Sequence, residues 1–217
     1  MKSIFTFRCP SLKEKEFEDL IVFLPERSEH NSIIKTIKDE EDRSPIHGQI
    51  YVLVCEKFVT ELLAIIETGS FIQEIENLGI TNSVELIKVN SSGIFFDKND
   101  QYLSNEIKQK ILESGANFLF KKRKGLITST DNYHFKKPSG DHCNQFIRAS
   151  NLLVYSSEVH FLAIGLLPYI DDSVERIYVD TSSISYLVST ALKLKGMDDV
   201  LIAQFQVTTA ICKLCCK

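Results

Sequence analysis

The chain has 217 residues, 44% of them hydrophobic and 25% charged. This composition belongs to a folded globular chain rather than a disordered one. A net charge of −4 supplies no overall attraction to nucleic acid or to an anionic membrane.

The longest apolar run, Val159–Ile170, has about 12 residues and contains Pro168, which is short of the ~20 that a bilayer-spanning helix requires. The opening residues, MKSIFTFRCPSLKEKEFEDL, carry charges within two turns of their apolar patch and lack a signal-peptide pattern. The expectation is a cytoplasmic protein. Cys9, Cys55 and Cys143 are isolated, while Cys212, Cys215 and Cys216 crowd the end. That is no disulfide framework.

Residues Ser3–Arg8 alternate as a short strand does. Ser11-Leu12-Lys13-Glu14 has capping-box spacing, and Leu12, Phe17, Leu20, Ile21 and Leu24 then follow at near-helical intervals, which predicts a helix. Residues Pro25–His47 are polar and mixed, and their acidic run Asp39-Glu40-Glu41-Asp42 reads as a solvated loop and helix face. Gln49–Cys55 is rich in β-formers and reads as a buried strand. Helices are predicted over Lys57–Thr68 and Ser70–Leu78, ending at Gly69 and Gly79. Ser83–Val89 and Gly93–Asp97 read as paired strands around Asn90-Ser91-Ser92-Gly93. Residues 1–103 thus form a small α+β unit of unassigned role.

Beyond it, Asn105–Glu113 is a predicted helix that stops near Gly115. The basic run Lys121-Lys122-Arg123-Lys124 has no interleaved aromatics, so a solvated turn outweighs phosphate or nucleic-acid contact. An irregular hairpin is followed by a helix over Val159–Leu167, ended by Pro168. A strand over Glu175–Asp180, a turn over Thr181–Ser185, a helix over Tyr186–Leu194 closing at Gly196 and a strand over Leu201–Val207 complete the order. Strands alternating with helices indicate a parallel α/β sheet.

Two stretches can carry chemistry. In IYVDTSSISYLVSTALKLKG a strand leads into small polar residues and then a helix. Free N–H groups at a helix start favour an anion, and Thr181, Ser182, Ser183 and Ser185 add hydroxyl donors. The alternative is a capped turn with no ligand. In HFKKPSGDHCNQFIR, His134, His142 and Cys143 supply three zinc-ligand types where a structural site needs four. Cys212-x-x-Cys215 is a single pair, and adjacent His142 and Cys143 are poorly disposed to act as base and nucleophile.

The ordered set Ile111-Leu112-Glu113-Ser114-Gly115-Ala116, Phe135-Lys136-Lys137-Pro138-Ser139-Gly140, Phe146-Ile147-Arg148 and Ile177–Ser185 resembles the orotate phosphoribosyltransferase group over roughly residues 105–196. The resemblance implies an α/β parallel-sheet core of phosphoribosyltransferase type, incomplete at its C-terminus, over residues 104–217. It implies that Lys137, Ser139, Gly140, Phe146 and Arg148 form the base site and its hood. It implies that Asp180, Thr181, Ser182, Ser183 and Ser185 hold the pyrophosphate of phosphoribosyl pyrophosphate, with Mg2+ bridging sugar hydroxyls and pyrophosphate.

The sequence departs from the family's pattern. Pro138 stands where the family has a lysine, Ile147 replaces a second aromatic, and the phosphate loop lacks glycines. The acidic-pair motif for the 5′-phosphate is not found, since Asp198-Asp199 precedes a strand instead of following one. The expectation is therefore a protein binding phosphoribosyl pyrophosphate or a nucleotide, a glycosyltransferase if active. The alternative is a noncatalytic nucleotide-sensing or interaction module. An incomplete sheet would leave an edge for a protein partner or a second copy. Neither a membrane nor a nucleic acid is implied.

Overall fold

A computed structural model describes residues 4–13, 16–26, 28–80, 84–129, 135–136 and 140–204. Strands β1 (Phe5–Cys9), β2 (Asp19–Leu24), β3 (Ile50–Cys55), β4 (Val84–Val89) and β5 (Phe95–Asp97) form one sheet in that spatial order. The central strands β2, β3 and β4 are parallel, while β1 and β5 are antiparallel at the edges. Parallel neighbours need crossovers, and helices α1 (His30–Arg43), α2 (Val59–Ile66) and α3 (Gly69–Asn77) supply them. The fold is α/β with a mixed sheet, accompanied among the described residues by seven α-helices. Helical crossovers between parallel strands replace the α+β arrangement expected for residues 1–103.

Alternation along each strand sorts the sheet into two faces. Leu20, Val22, Ile50, Val52 and Leu86 pack beneath Ile33, Ile37, Leu62, Phe71 and Ile75 of α1–α3. Phe7, Ile21, Phe23, Leu53 and Ile87 face the other way. Their cover comes from α4 (Asn105–Lys122) and α6 (Ser156–Ile164), through Ile111, Leu119, Phe161 and Ile164. This cluster runs across the position expected for a boundary between residues 103 and 104. Both faces being covered is why β2 and β3 are buried at every position and, after Asp19, apolar throughout.

Two predicted elements change. The helix expected after Ser11 is not there: Asp19–Leu24 is strand β2. Spacing of Leu12, Phe17, Leu20, Ile21 and Leu24 fits a helix, yet the unbroken run Leu20-Ile21-Val22-Phe23-Leu24 is what a central strand demands. Asp19, fully buried, anchors the change. Its Oδ2 accepts from the Leu12 N–H at 2.6 Å and its Oδ1 from the Gln49 N–H at 2.8 Å.

The second change is at Gly115, which lies inside α4 rather than ending it. A Cβ at Gly115 would sit 2.3 Å from Cε1 of Phe161. The glycine marks a helix crossing, where α6 presses its ring onto α4, and not a helix stop.

After α4 the chain makes a nested hairpin. Strand β6 (Leu126–Thr128) pairs with β9 (Gln145–Ile147), and β7 (Phe135–Lys136) pairs with β8 (His142–Cys143), both antiparallel. The short helix α5 (Ala149–Leu152) then leads to α6. Strand β10 (Arg176–Val179), helix α7 (Ser182–Lys195) and strand β11 (Leu201–Gln204) form a parallel β-α-β unit. Of the parallel sheet expected beyond residue 104, the described residues form this two-stranded pair. Helix α7 begins four residues earlier than predicted, because Thr181 caps it: the Thr181 Oγ1 accepts from the Ile184 N–H.

Gly115→Val is expected to lower stability by ~1–3 kcal/mol through overpacking against the Phe161 ring. Urea unfolding measures it. An unchanged midpoint would mean that α4 and α6 are not in tight contact there.

Candidate functional site

Helix α7 closes at Gly196 and is fixed at both ends. At its far end the Lys195 ammonium meets the Asp172 carboxylate at 2.8 Å. Along its length Ala191 packs with Ala163 and Leu167, and α6 leads by way of Leu167 to Asp172. Contacts thus advance together along both chains, from Ala163 to Asp172 and from Ala191 to Lys195. Helix α5, at the root of the hairpin, precedes α6 and touches α7.

Asp180 and Thr181 are exposed between Val179 and α7. The Thr181 hydroxyl is engaged in the helix cap, and the Ser185 Oγ donates to the Thr181 carbonyl at 3.2 Å. Those two hydroxyls therefore shape the bend. Ser182 and Ser183 occupy the first two helical positions, whose N–H groups have no intrahelical acceptor. With the Asp180 carboxylate and their own hydroxyls they form the part of the predicted cradle that remains open to a ligand.

In the hood, Phe146 is 47% exposed, and its ring lies 5.7 Å from that of Phe135 at an interplanar angle of 33°. Its strand position pairs it with Ile127. Arg148 is exposed just before α5, and its N–H donates to the Gly125 carbonyl at 2.8 Å. Gly140 is exposed with φ +92°, a backbone state that suits glycine. Lys137 and Ser139 lie outside the described residues, as do His134 and the terminal cysteines. Among the described residues no group of three or more His, Cys, Asp or Glu side chains could hold a metal ion.

No family model, curated protein or solved structure matches this chain. What the site can do is therefore argued from its own chemistry. No helix among the described residues is long and apolar enough to cross a membrane.

Sequence reading missed the part played by Glu158. This carboxylate is 3% exposed. It accepts from Arg123 Nε at 2.9 Å and Arg123 Nη2 at 2.7 Å, and Lys122 Nζ lies 3.4 Å away. The guanidinium also lies over the Tyr155 ring, 4.2 Å from its centroid. Bonding to Glu158 pushes the Arg123 pKa further up. Two of the four basic residues in the run are thus spent on tying the end of α4 to α6. A glutamate beside an aromatic at a helix start was the available signal, but its partner lies 35 residues away.

Arg123→Met is expected to cost ~3–5 kcal/mol in urea unfolding, because Glu158 would remain buried with a weaker partner. Arg123→Met with Glu158→Leu should recover much of that loss. Failure of the double variant to recover would mean that the ion pair does more than satisfy itself. Burial pushes the Cys9 and Cys55 thiols up to about 11, whereas Cys143 is half-buried. Since thiolate is the reactive form, iodoacetamide at pH 8 should label Cys143 well before Cys9 or Cys55. Peptide mapping with and without urea reads this, and native labelling of Cys55 would refute its burial.

Proposed function

We propose that this chain is a phosphoribosyltransferase-like protein that binds phosphoribosyl pyrophosphate or a nucleotide at the bend Asp180–Ser185. The observation that carries this reading is the junction between β10 and α7. Ligands of open α/β sheets bind beyond the carboxyl ends of the strands. Here that end presents two free helix-start N–H groups, the Ser182 and Ser183 hydroxyls and one carboxylate. Helix α5, which follows the hood, touches α7, which follows the bend, and Phe146 offers an exposed ring for a flat base.

Asp180 decides what accompanies the ligand. A bare carboxylate repels a pyrophosphate, so the pair is favourable only with a cation between them. Mg2+ keeps water and phosphate oxygens in its shell and needs only one or two protein carboxylates, a requirement that a single Asp180 fits. Bound there, the ion would neutralise charge on the pyrophosphate. The chain's own contribution is the oriented N–H groups and hydroxyls that hold the anion and the ring that orients the base.

The second reading is a noncatalytic nucleotide-sensing module. It is favoured by the continuity of packing from α7 to α6 and from α6 to β1 and β2, which ties the bend to the larger sheet. Calorimetric titration with phosphoribosyl pyrophosphate, pyrophosphate and AMP, with and without Mg2+, separates the readings. Binding with base-dependent pyrophosphate release indicates a transferase, and binding without release indicates the module.

Asp180→Asn with Ser183→Ala is expected to weaken Mg2+-dependent pyrophosphate binding and to leave the unfolding midpoint unchanged, since both residues lie outside the core. Phe146→Ala should weaken nucleotide binding by ~1–3 kcal/mol while sparing pyrophosphate. If neither variant changes binding, the bend and the hood are not the site.

A further inference from the structure

Of the four residues in the basic run, Lys122 and Arg123 serve Glu158. The other two, Lys121 and Lys124, are exposed and line a shallow groove of about 940 Å3 between α4 and the root of the hairpin. Its apolar lining comes from Phe120, Leu126, Ile127 and Ile147. Leu126 and Ile147 are directly paired across β6 and β9, hence on one face of the hairpin, and they are 45% and 57% exposed. Two adjacent large aliphatic side chains held in water by a two-stranded ribbon are an unfavourable surface, and such a ribbon is marginal without a further layer.

The groove is firmly built. A Cβ at Gly125 would lie 2.4 Å from Cδ2 of Leu152, so α5 closes directly on the turn between α4 and β6. The Gly125 N–H donates to the Phe120 carbonyl, and the Asn151 Nδ2 donates to the Lys124 carbonyl. The ion pair between Arg123 and Glu158 holds the same turn from the other side. The walls therefore need no rearrangement to receive an occupant.

We propose that this groove docks an acidic, apolar peptide segment of a protein partner, its aliphatic side chains on Leu126 and Ile147 and its carboxylates on Lys121 and Lys124. Charge selects the occupant. A second copy related by a two-fold axis would bring four lysines together on one patch, and among the described residues no carboxylate lines the groove to offset them. A nucleic acid would find one ring, Phe120, among aliphatic side chains where single strands stack successive bases on several, on a chain of net charge −4. A membrane surface favours an apolar face that projects, whereas this one is recessed. The inference does not depend on a ligand at the Asp180 bend.

The test is selection from a random-peptide display library on the full-length chain. Enriched peptides should combine aspartate or glutamate with leucine, isoleucine, valine or phenylalanine. Fluorescence anisotropy of an enriched peptide should show about tenfold weaker binding to Lys121→Glu/Lys124→Glu. The same loss should be absent in Lys35→Glu/Lys38→Glu, which changes net charge equally on the exposed side of α1. Ile147→Ser should weaken binding as well. Any of four results overturns the proposal: no enrichment, enriched peptides without an acidic excess, equal binding to Lys121→Glu/Lys124→Glu, or tighter binding of oligo-dT or phosphatidylglycerol vesicles than of the peptide.

Discussion

The structure depends on the close approach of Phe161 to Gly115. The ring of Phe161 stands 5.1 Å from those of Phe5 and Phe7 and 5.6 Å from that of Phe23, so one side chain on α6 touches two strands of the large sheet. The same ring occupies the space that a side chain at position 115 would fill. Helices α4 and α6 can therefore lie together on one sheet face only because one of them gives up a Cβ. Rings at these separations and tilts add ~0.5–1.5 kcal/mol per pair beyond area burial, and the glycine is what lets several such pairs share one ring.

The described elements after residue 122 are joined to the sheet through these two helices. The hairpin leaves from the end of α4 and returns through α5 into α6. Helix α7 packs on α6 and carries β10 and β11 with it. A two-stranded parallel pair is too small to bury a core by itself; Val179, Val188 and Leu192 gather a local one, and Ile170 joins it to the cluster around Ala163 and Leu167. The larger sheet thus acts as a foundation. The groove beside Lys121 and the bend at Asp180 are separate features mounted on it through α4 and α6.

Local sequence gave a sound account where one signal dominated. Strand β3 was legible because Ile50–Cys55 is apolar at every position, and α7 because a strand, a small-residue turn and a glycine close punctuate it. It failed where two signals competed. Leu12, Phe17, Leu20, Ile21 and Leu24 satisfy a helical spacing, yet Asp19–Leu24 is a strand anchored by the Asp19 carboxylate, which binds the N–H groups of Leu12 and Gln49. Neither bond is visible without the fold. Gly115 reads as a helix stop because a glycine that ends a helix and a glycine that admits a neighbour look the same in one dimension. The candidate site divides likewise: the open half of the bend was legible from residue type, while the use of Thr181 and Ser185 in shaping it follows only from hydrogen-bond partners.

The basic run shows why charge adjacency in sequence is a poor guide to shared purpose. Lys121 and Lys122 end α4, where successive side chains leave the axis about 100° apart, Arg123 caps the helix, and Lys124 turns the chain away with φ +50°. They cannot all face one ligand. The pair in the middle, Lys122 and Arg123, turns to the α6 side and meets a buried carboxylate. The outer pair, Lys121 and Lys124, is three residues apart and shares the opposite, groove side. One half of the run is thereby bound to the protein's own interior. That binding fixes the end of α4 and so holds the other half steady above an apolar floor. Neutralising Glu158 would loosen the very turn from which Lys124 projects, which makes an internal ion pair the support of an outward-facing surface.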